Sequence, residues 1–373
     1  MQRIYLDNNA TTALDPKVFK AMLSDLQGLP LNPSSVHWFG NQAKKQLLQA
    51  RETVATFFHV KPEEVLFTSG GTEAINTLLR GIGDRGHLIT STIEHSAVYK
   101  TAQHLEDQGM MVTYLPVGSW GAPLPEQILG ALRPDTKAIA LSAANSETGV
   151  KLDLEAIATI AQENQIPLFI DAVSWIGKEA FPDHPGITAI ALSAHKFHGP
   201  KGVGALIAKT PFRFDPLCTG GMQELQKRAG TENLAGILGL AEALHILSQE
   251  QTAITEHIID LRRHLEHGLQ KEIPDLCIHG EGPRIPSTAC LGFPGVDGEA
   301  LFMQLDMAGI AVSHGSACTS GALEPSRVLT KMGIPTKLVR SSLRFSVGRL
   351  NTREEIDQVI EKTALIVKKL RHL

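Results

Sequence analysis

ITAIALSAHKFHGPKG, residues 187–202, joins a short β-branched and alanine-rich run to a turn of glycine, proline and histidine, with Lys196 at the junction. The run Ile187 to Leu192 reads as a buried strand. A lysine just past the end of such a strand is partly desolvated, which lowers its pKa and leaves a free amine able to condense with an aldehyde. Lys196 is therefore the candidate Schiff-base lysine. Apolar runs of the same kind are Val65 to Thr68, Leu88 to Thr92, Val112 to Pro116, Ala138 to Ser142, Pro167 to Asp171 and Gly204 to Ile207. Helical periodicity fills Glu73 to Gly81, Ser96 to Gln108 and Leu154 to Gln165. The alternation predicts an α/β fold with a mostly parallel seven-stranded sheet, helices on both faces, and a ligand crevice at the carboxyl ends of the strands.

The chain has 373 residues, more than one hydrophobic core usually spans, so two domains are expected. From Asn233 to about Lys271 the pattern is helical almost without a break and carries the chain from the first domain into the second. Beyond it, short strands (Ser287 to Phe293, Ile310 to Ser313, Ser342 to Val347) mix with helices, the last opened by a Thr352/Glu355 capping box. With 43% hydrophobic residues, 20% charged residues and a formal charge of -4, the chain offers no basic field for nucleic acid. The N-terminal stretch MQRIYLDNNATT has no apolar segment flanked by basic residues, and no run approaches the roughly 20 apolar residues of a membrane helix. A cytoplasmic protein that engages neither nucleic acid nor membrane is expected. Cys218, Cys277, Cys290 and Cys318 match neither a zinc-site spacing nor a disulfide framework, so no metal is expected.

The strand ends carry the chemistry. LFIDA delivers Asp171 at a carboxyl end, 25 residues before Lys196, where a buried carboxylate needs a cationic or hydrogen-bonding partner. Such an aspartate can merely cap the next turn. Paired with a Schiff-base lysine, it meets the needs of pyridoxal phosphate, an aldehyde whose ring nitrogen must stay protonated. SGGTEAIN (69–76) follows a strand and opens a helix, a place for a phosphate, although Ser/Gly/Thr there is often only a cap. QKRAGTEN (226–233) is a second such place and adds Arg228 and Thr231. His95, just past LITST, can stack on a flat ring, or be a structural loop histidine. Cys318 sits in SHGSACTSGALEPS (313–326), among small and polar residues rather than in an apolar stretch, and reads as a reactive thiol. GIGDRG (81–86) is set aside as a dinucleotide fingerprint because it follows a helix and precedes a strand, the reverse of the required order.

Taken together, YLDNNATT (5–12), NPSSVHWFG (32–40), FTSGGTEAIN (67–76), EHSAV (94–98), NSETG (145–149), IDAVSWIGK (170–178), SAHKFHGPKG (193–202), RAGTEN (228–233), GSACTSG (315–321) and SSLRFSVG (341–348) span nearly the whole chain. They resemble the cysteine desulfurases of the pyridoxal-phosphate fold type I, class V aminotransferase group. The resemblance implies a large cofactor-binding domain over 15–250 and a smaller α+β domain, 1–14 with 251–373, that carries the cysteine loop. It implies Lys196 as the imine lysine, Asp171 as the partner of the ring nitrogen, and His95 as a ring-stacking residue that also moves protons. Gly71, Thr72, Ser193 and His195 match phosphate contacts, Thr231 reaches the cofactor of the other subunit of a homodimer, and Asn145 lies near the phenolic oxygen. Asn32 and Arg344 match groups holding the substrate carboxylate, and Cys318 matches the sulfur acceptor. The implied reaction converts L-cysteine to L-alanine and leaves a persulfide on Cys318, which supplies a sulfur acceptor or iron–sulfur scaffold protein. An aminotransferase or a selenocysteine lyase of the same fold is the alternative. Three departures stand out: Ser174 where the family usually has glutamine, His314 where serine is common, and an end at KKLRHL without the longer scaffold-engaging tail.

Overall fold

The computed structural model describes residues 3–315 and 325–372. The seven strands read from the sequence form one sheet, in the spatial order Val65–Thr68, Gly204–Ala208, Ala189–Ser193, Leu168–Asp171, Thr136–Ser142, His87–Ser91, Met111–Leu115. The four pairings from Ala189–Ser193 out to Met111–Leu115 are parallel, and Gly204–Ala208 runs antiparallel to both its neighbours. Ser91, Ser142, Asp171 and Ser193 therefore end their strands along one edge. Thr68 joins them there, because it and Ser193 both face Gly204.

Burial on both faces explains why these strands read as continuous apolar runs. Successive side chains alternate between two cores. Ile139, Leu141, Ile170, Ile190 and Leu192 pack on one face, and Ala138, Ala140, Phe169, Ala189 and Ala191 on the other. The alanines let the helices Gly71–Gly81 and Ser96–Asp107 lie close to the sheet, with Leu78, Leu79, Val98 and Leu105 filling the space.

The helix Leu234–Glu272 contains 39 residues, about 58 Å at 1.5 Å per residue. Its first half packs into the core under the large sheet, and Ile258, Leu261, Leu265 and Leu269 enter a second core. That second core also takes Ile4, Leu6, Phe293, Phe345 and Ile356, beneath an antiparallel sheet ordered Ser313–His314, Ser342–Ser346, Thr288–Gly292, Cys277–Ile278. The expected single strand Ile310 to Ser313 divides at Val312. Ile310–Ala311 pairs with Ile4–Tyr5 and Ser313–His314 with Ser342–Ser346, so each half serves a different sheet. The Thr352/Glu355 capping box is present.

Two close approaches shape the site end of the large sheet. A Cβ on Gly204 would lie 2.4 Å from the Leu192 carbonyl oxygen and 2.7 Å from the Gly70 Cα, so only glycine lets these three segments meet. Nearby, Glu224, Leu225 and Gln226 occupy left-handed backbone in succession, at φ 48°, 57° and 64°, which costs roughly 1–2 kcal/mol per residue. The buried Glu224 carboxylate holds that segment. It accepts from Arg51 Nη2 at 2.5 Å, Arg51 Nη1 at 3.0 Å and the Phe67 backbone N–H at 2.9 Å. With only 9% of the Arg51 and 1% of the Glu224 side chain exposed, removing one partner strands a buried charge. Arg51→Met is expected to lower unfolding free energy by about 3–5 kcal/mol, read from the urea midpoint. A loss below about 1 kcal/mol would show that the pair does not hold the segment.

Candidate active site

Lys196 ends a single turn, Ala194–Lys196, that directly follows the strand Ala189–Ser193. Its Nζ donates to the carbonyl oxygens of Asn9 at 2.5 Å and Ala10 at 3.0 Å. The same N-terminal segment grips the turn elsewhere. Thr12 donates to the His195 carbonyl through N and Oγ1, and Thr12 Oγ1 accepts from the His198 N–H. Asp171, at the next strand end, is 7% exposed, and its Oδ1 accepts from the Val173 N–H at 3.0 Å. Burial pushes its carboxyl up, while His95, that N–H and Lys196 pull it back. His95 caps the helix Ser96–Asp107 by accepting the Ala97 N–H at Nδ1, 3.1 Å, which puts the proton of the neutral ring on Nε2. The lysine, aspartate and histidine singled out in the sequence thus converge at one edge of the sheet.

The predicted cradle lies beside them. Gly70 has φ 156° and ψ −178°, a conformation open only to glycine, and begins the helix Gly71–Gly81 without a side chain to cap it. A Cβ on Gly71 would lie 2.5 Å from Val173 Cγ2 and 3.8 Å from Ser193 Cβ, so the helix start presses against the Asp171 and Ser193 strand ends. Thr72 is exposed at that start. The His195 imidazole is pushed down to about 4 by burial and by the charges of Lys196 and Lys201, so it is neutral, with Nδ1 paired to Thr11 Oγ1. The other candidate cradle is different. Arg228 gives its guanidinium to Glu73 at 2.9 Å, and Thr231 is exposed ahead of a helix that starts at Leu234 and is capped by Asn233. Arg228 therefore neutralises an acid in the first cradle rather than forming a second.

Asn145 is buried. Its Oδ1 accepts from the N–H groups of Glu147 and Thr148, and Nδ2 donates to the Ile93 carbonyl. Ser174 is half-buried two residues past Ala172. Arg344 is buried, with Nη2 on Asp7 at 2.7 Å and Nη1 on the Ser146 carbonyl at 3.0 Å, while Nε is buried with no hydrogen-bond partner. Asn32 is half-buried and forms a local turn, its Oδ1 accepting from the Ser34 N–H. Cys318 lies outside the described residues. Of the other cysteines, Cys290 is buried and Cys218 and Cys277 are partly exposed. Among the described residues no cluster of histidine, cysteine, aspartate or glutamate could hold a metal ion, and no helix is long and apolar enough to cross a membrane.

Three buried charged groups at this edge had no signal in the sequence beyond lying inside motifs. Glu94 accepts from Ser91 Oγ at 2.5 Å and from Ser142 N and Oγ at 2.7 and 2.6 Å, bridging two strand ends. Glu147 accepts from Ser326 Oγ, and burial raises its pKa. Lys178 donates to the Lys196 carbonyl at 3.1 Å and is pushed down to about 8 by burial, with the charges of Lys196 and Arg349 adding to the effect.

With the sheet and the residues at its strand ends in place, residues 4–359 match the class-V aminotransferase family. The chain belongs to it. It is 42% identical over 380 residues to a cysteine desulfurase from Nostoc sp., covering 100% of this chain and 95% of that protein. It is 38% identical over 377 residues to cysteine desulfurase IscS from Dictyoglomus turgidum, covering 99% and 96%. A solved NifS-like protein superposes with a TM-score of 0.91 at 34% identity, covering 99% of this chain and 100% of that one. Within the class-V aminotransferases the chain falls among the cysteine desulfurases.

Burial pushes the Glu94 carboxyl up to about 7 from an ordinary 4.5, against its serine hydrogen bonds and with Asp171 pushing it further. The folded state thus holds a proton that the unfolded chain releases. Its stabilising effect is complete below the unfolded value and is lost as pH rises through 7. Glu94→Gln keeps the hydrogen bonds without the charge. Relative to wild type, its stability is expected to rise by roughly 2–3 kcal/mol between about pH 5 and pH 8, measured from urea midpoints. A difference that does not change with pH would refute the assignment.

Proposed function

We propose that this chain binds pyridoxal phosphate, takes sulfur from free L-cysteine to leave L-alanine, and holds the sulfur as a persulfide on Cys318 for an iron–sulfur scaffold or another acceptor. The observation that carries the reading is the convergence of Lys196, Asp171 and His95 at one edge of the sheet. Three features support the fit to the cofactor. Asp171 is a buried carboxylate suited to a protonated ring nitrogen. The glycine start of the helix Gly71–Gly81 sits beside Ser193 and suits a phosphate. Lys196 lies between these two, at the end of its own strand, within reach of an aldehyde.

When bound, the cofactor supplies an electron sink that makes the substrate's α-proton acidic. The chain's residues do the rest. Lys196 would hold the aldehyde and, as a free amine, would take the α-proton at Nζ. His95, its ring proton on Nε2, would face the ring and relay protons. Gly71, Thr72, Ser193 and the neutral His195 would hold the phosphate, and the remaining Asn145 amide N–H and Ser174 would serve the phenolic oxygen. Arg344 and Asn32 take the substrate carboxylate. The unpartnered Nε of Arg344 supports this, since one donor of the guanidinium is left to be satisfied by such an anion. Cys318, as a thiolate, would attack the substrate sulfur: the S–S bond of the persulfide forms as the substrate's Cβ–S bond breaks, and the bonding pair stays on that carbon, which takes a proton to become the methyl group of alanine.

The reading includes a homodimer in which Thr231 reaches the other subunit's cofactor. Thr231 is exposed, and Trp38, Val36, Met222 and Leu225 expose large apolar side chains on the segments near it. Gln223 links these segments through Ser34. The division into 15–250 and 1–14 with 251–373 belongs to the same proposal.

Incubation with cysteine followed by mass spectrometry is expected to add one sulfur to the peptide containing Cys318. Cys318→Ala is expected to keep the bound-cofactor absorbance and lower alanine release by at least on the order of 10³-fold. Lys196→Ala should abolish the borohydride-reducible label. Undiminished alanine and sulfide release by Cys318→Ala would point instead to another pyridoxal-phosphate reaction.

A further inference from the structure

The link from the strand His87–Ser91 to His95 is held by side chains, and its main holder is distant in the chain. Arg327 donates Nη1 to the Thr92 carbonyl and Nη2 to the Glu94 carbonyl, the latter at 2.5 Å. Asn145 Nδ2 takes the carbonyl between them, that of Ile93, at 3.1 Å. Three successive carbonyls leading to His95 are therefore each bound by a side-chain N–H. The Arg327 guanidinium carbon also lies 4.1 Å from the ring centroid of Tyr99, on the helix that His95 caps. Ile93 is buried with Val328, Leu329 and Met332, from the turn that Arg327 begins. Next to Arg327, Ser326 donates to Glu147, in the turn that Asn145 organises.

We propose that Arg327 is a positioning residue for His95, whose planar fork across the Thr92 and Glu94 carbonyls fixes where the imidazole stands over the Asp171 and Lys196 end of the crevice. A guanidinium suits the task because its donors diverge in one plane and its face stacks on Tyr99, whereas an ammonium is a single point of charge. In the sequence Cys318 precedes Arg327 by nine residues. A misplacement of about 1 Å in such a group can cost on the order of 10²-fold in rate.

The inference uses the proposed desulfurase reaction only for its rate assay. The test uses the holoenzyme, with Arg327→Met and Arg327→Lys each made in wild-type and His95→Ala backgrounds. The readouts are alanine formation from cysteine, visible circular dichroism of the bound cofactor without cysteine, and thermal midpoint. Arg327→Met is expected to lower kcat by roughly 10- to 100-fold with KM within a few-fold, and to change the cofactor dichroism at an unchanged thermal midpoint. Arg327→Lys should restore the rate only in part. In the His95→Ala background, Arg327→Met should change neither rate nor dichroism further, because its effect runs through the histidine. Wild-type dichroism and rate in a folded Arg327→Met protein, or an effect that persists in full without His95, would overturn the proposal. If Arg327→Met does not fold, Arg327→Lys decides: wild-type behaviour there overturns it. A wild-type holoenzyme that binds cofactor yet releases no sulfur from cysteine would refute the desulfurase reading, while the dichroism would still test the placement of His95.

Discussion

Asp171 places a carboxylate in the interior at the end of a parallel strand, and the charges around it are arranged to make that tolerable. Burial pushes its carboxyl up. His95, the Val173 N–H and Lys196 oppose that. The consequences spread outward. Burial, with the charge of Lys196 adding to it, pushes the neighbouring His195 and Lys178 toward their neutral forms, and burial, with Asp171 adding to it, pushes the nearby Glu94 up to about 7. Glu94, near 7, and Lys178, near 8, thereby exchange protons near neutrality at this edge, while His195, near 4, stays neutral. The low dielectric that makes the arrangement expensive also makes each charge act strongly on the next.

Space constrains the same edge as firmly as charge does. Gly204 lets the Gly70 turn and the Leu192 carbonyl approach within contact distance, and Gly71 lets the helix start press on Val173. Antiparallel pairing of Gly204–Ala208 with both neighbours brings Thr68 and Ser193 to the same place. The cradle is thus a product of sheet order. Glu73, in the first turn of that helix, would repel an anion, and Arg228 removes the difficulty by pairing with it.

All seven strands of the large sheet were legible because burial on both faces writes them as apolar runs, and the long helix because its periodicity never breaks. Lys196, Asp171 and His95 were legible for a related reason: strand ends in a parallel sheet point to one edge, so residues placed after apolar runs converge. What escaped depends on contacts between distant positions. Glu94 looks like any loop glutamate until Ser142, 48 residues on, supplies its hydrogen bonds. Arg228 looks like a phosphate ligand until Glu73 is found beside it. Arg327 looks like a helix-terminal surface residue, and only the fold puts its fork on carbonyls more than 230 positions earlier.

The segment Asp7 to Thr12 shows how residues from two cores come to share a site. Asp7 binds Arg344 and bridges to Ser346, in the sheet over the second core. Asn9 then bonds Thr288 Oγ1 and the Ser146 carbonyl through its side chain, and its own carbonyl accepts from Lys196. Ala10, Thr11 and Thr12 continue onto Lys196 and His195. Six residues therefore span from the arginine suited to an anionic substrate group to the lysine suited to an aldehyde, and the Ser146 carbonyl, which accepts from both Arg344 and Asn9, adds a second link between them. A strap of backbone and side-chain hydrogen bonds to both ends transmits any shift of one to the other, because each group in it is bonded on both sides. The separation of the Arg344 guanidinium and the Lys196 amine is thereby set less by either core than by the turn, closed by the Ala10 N–H on the Asp7 carbonyl, that is laid across them.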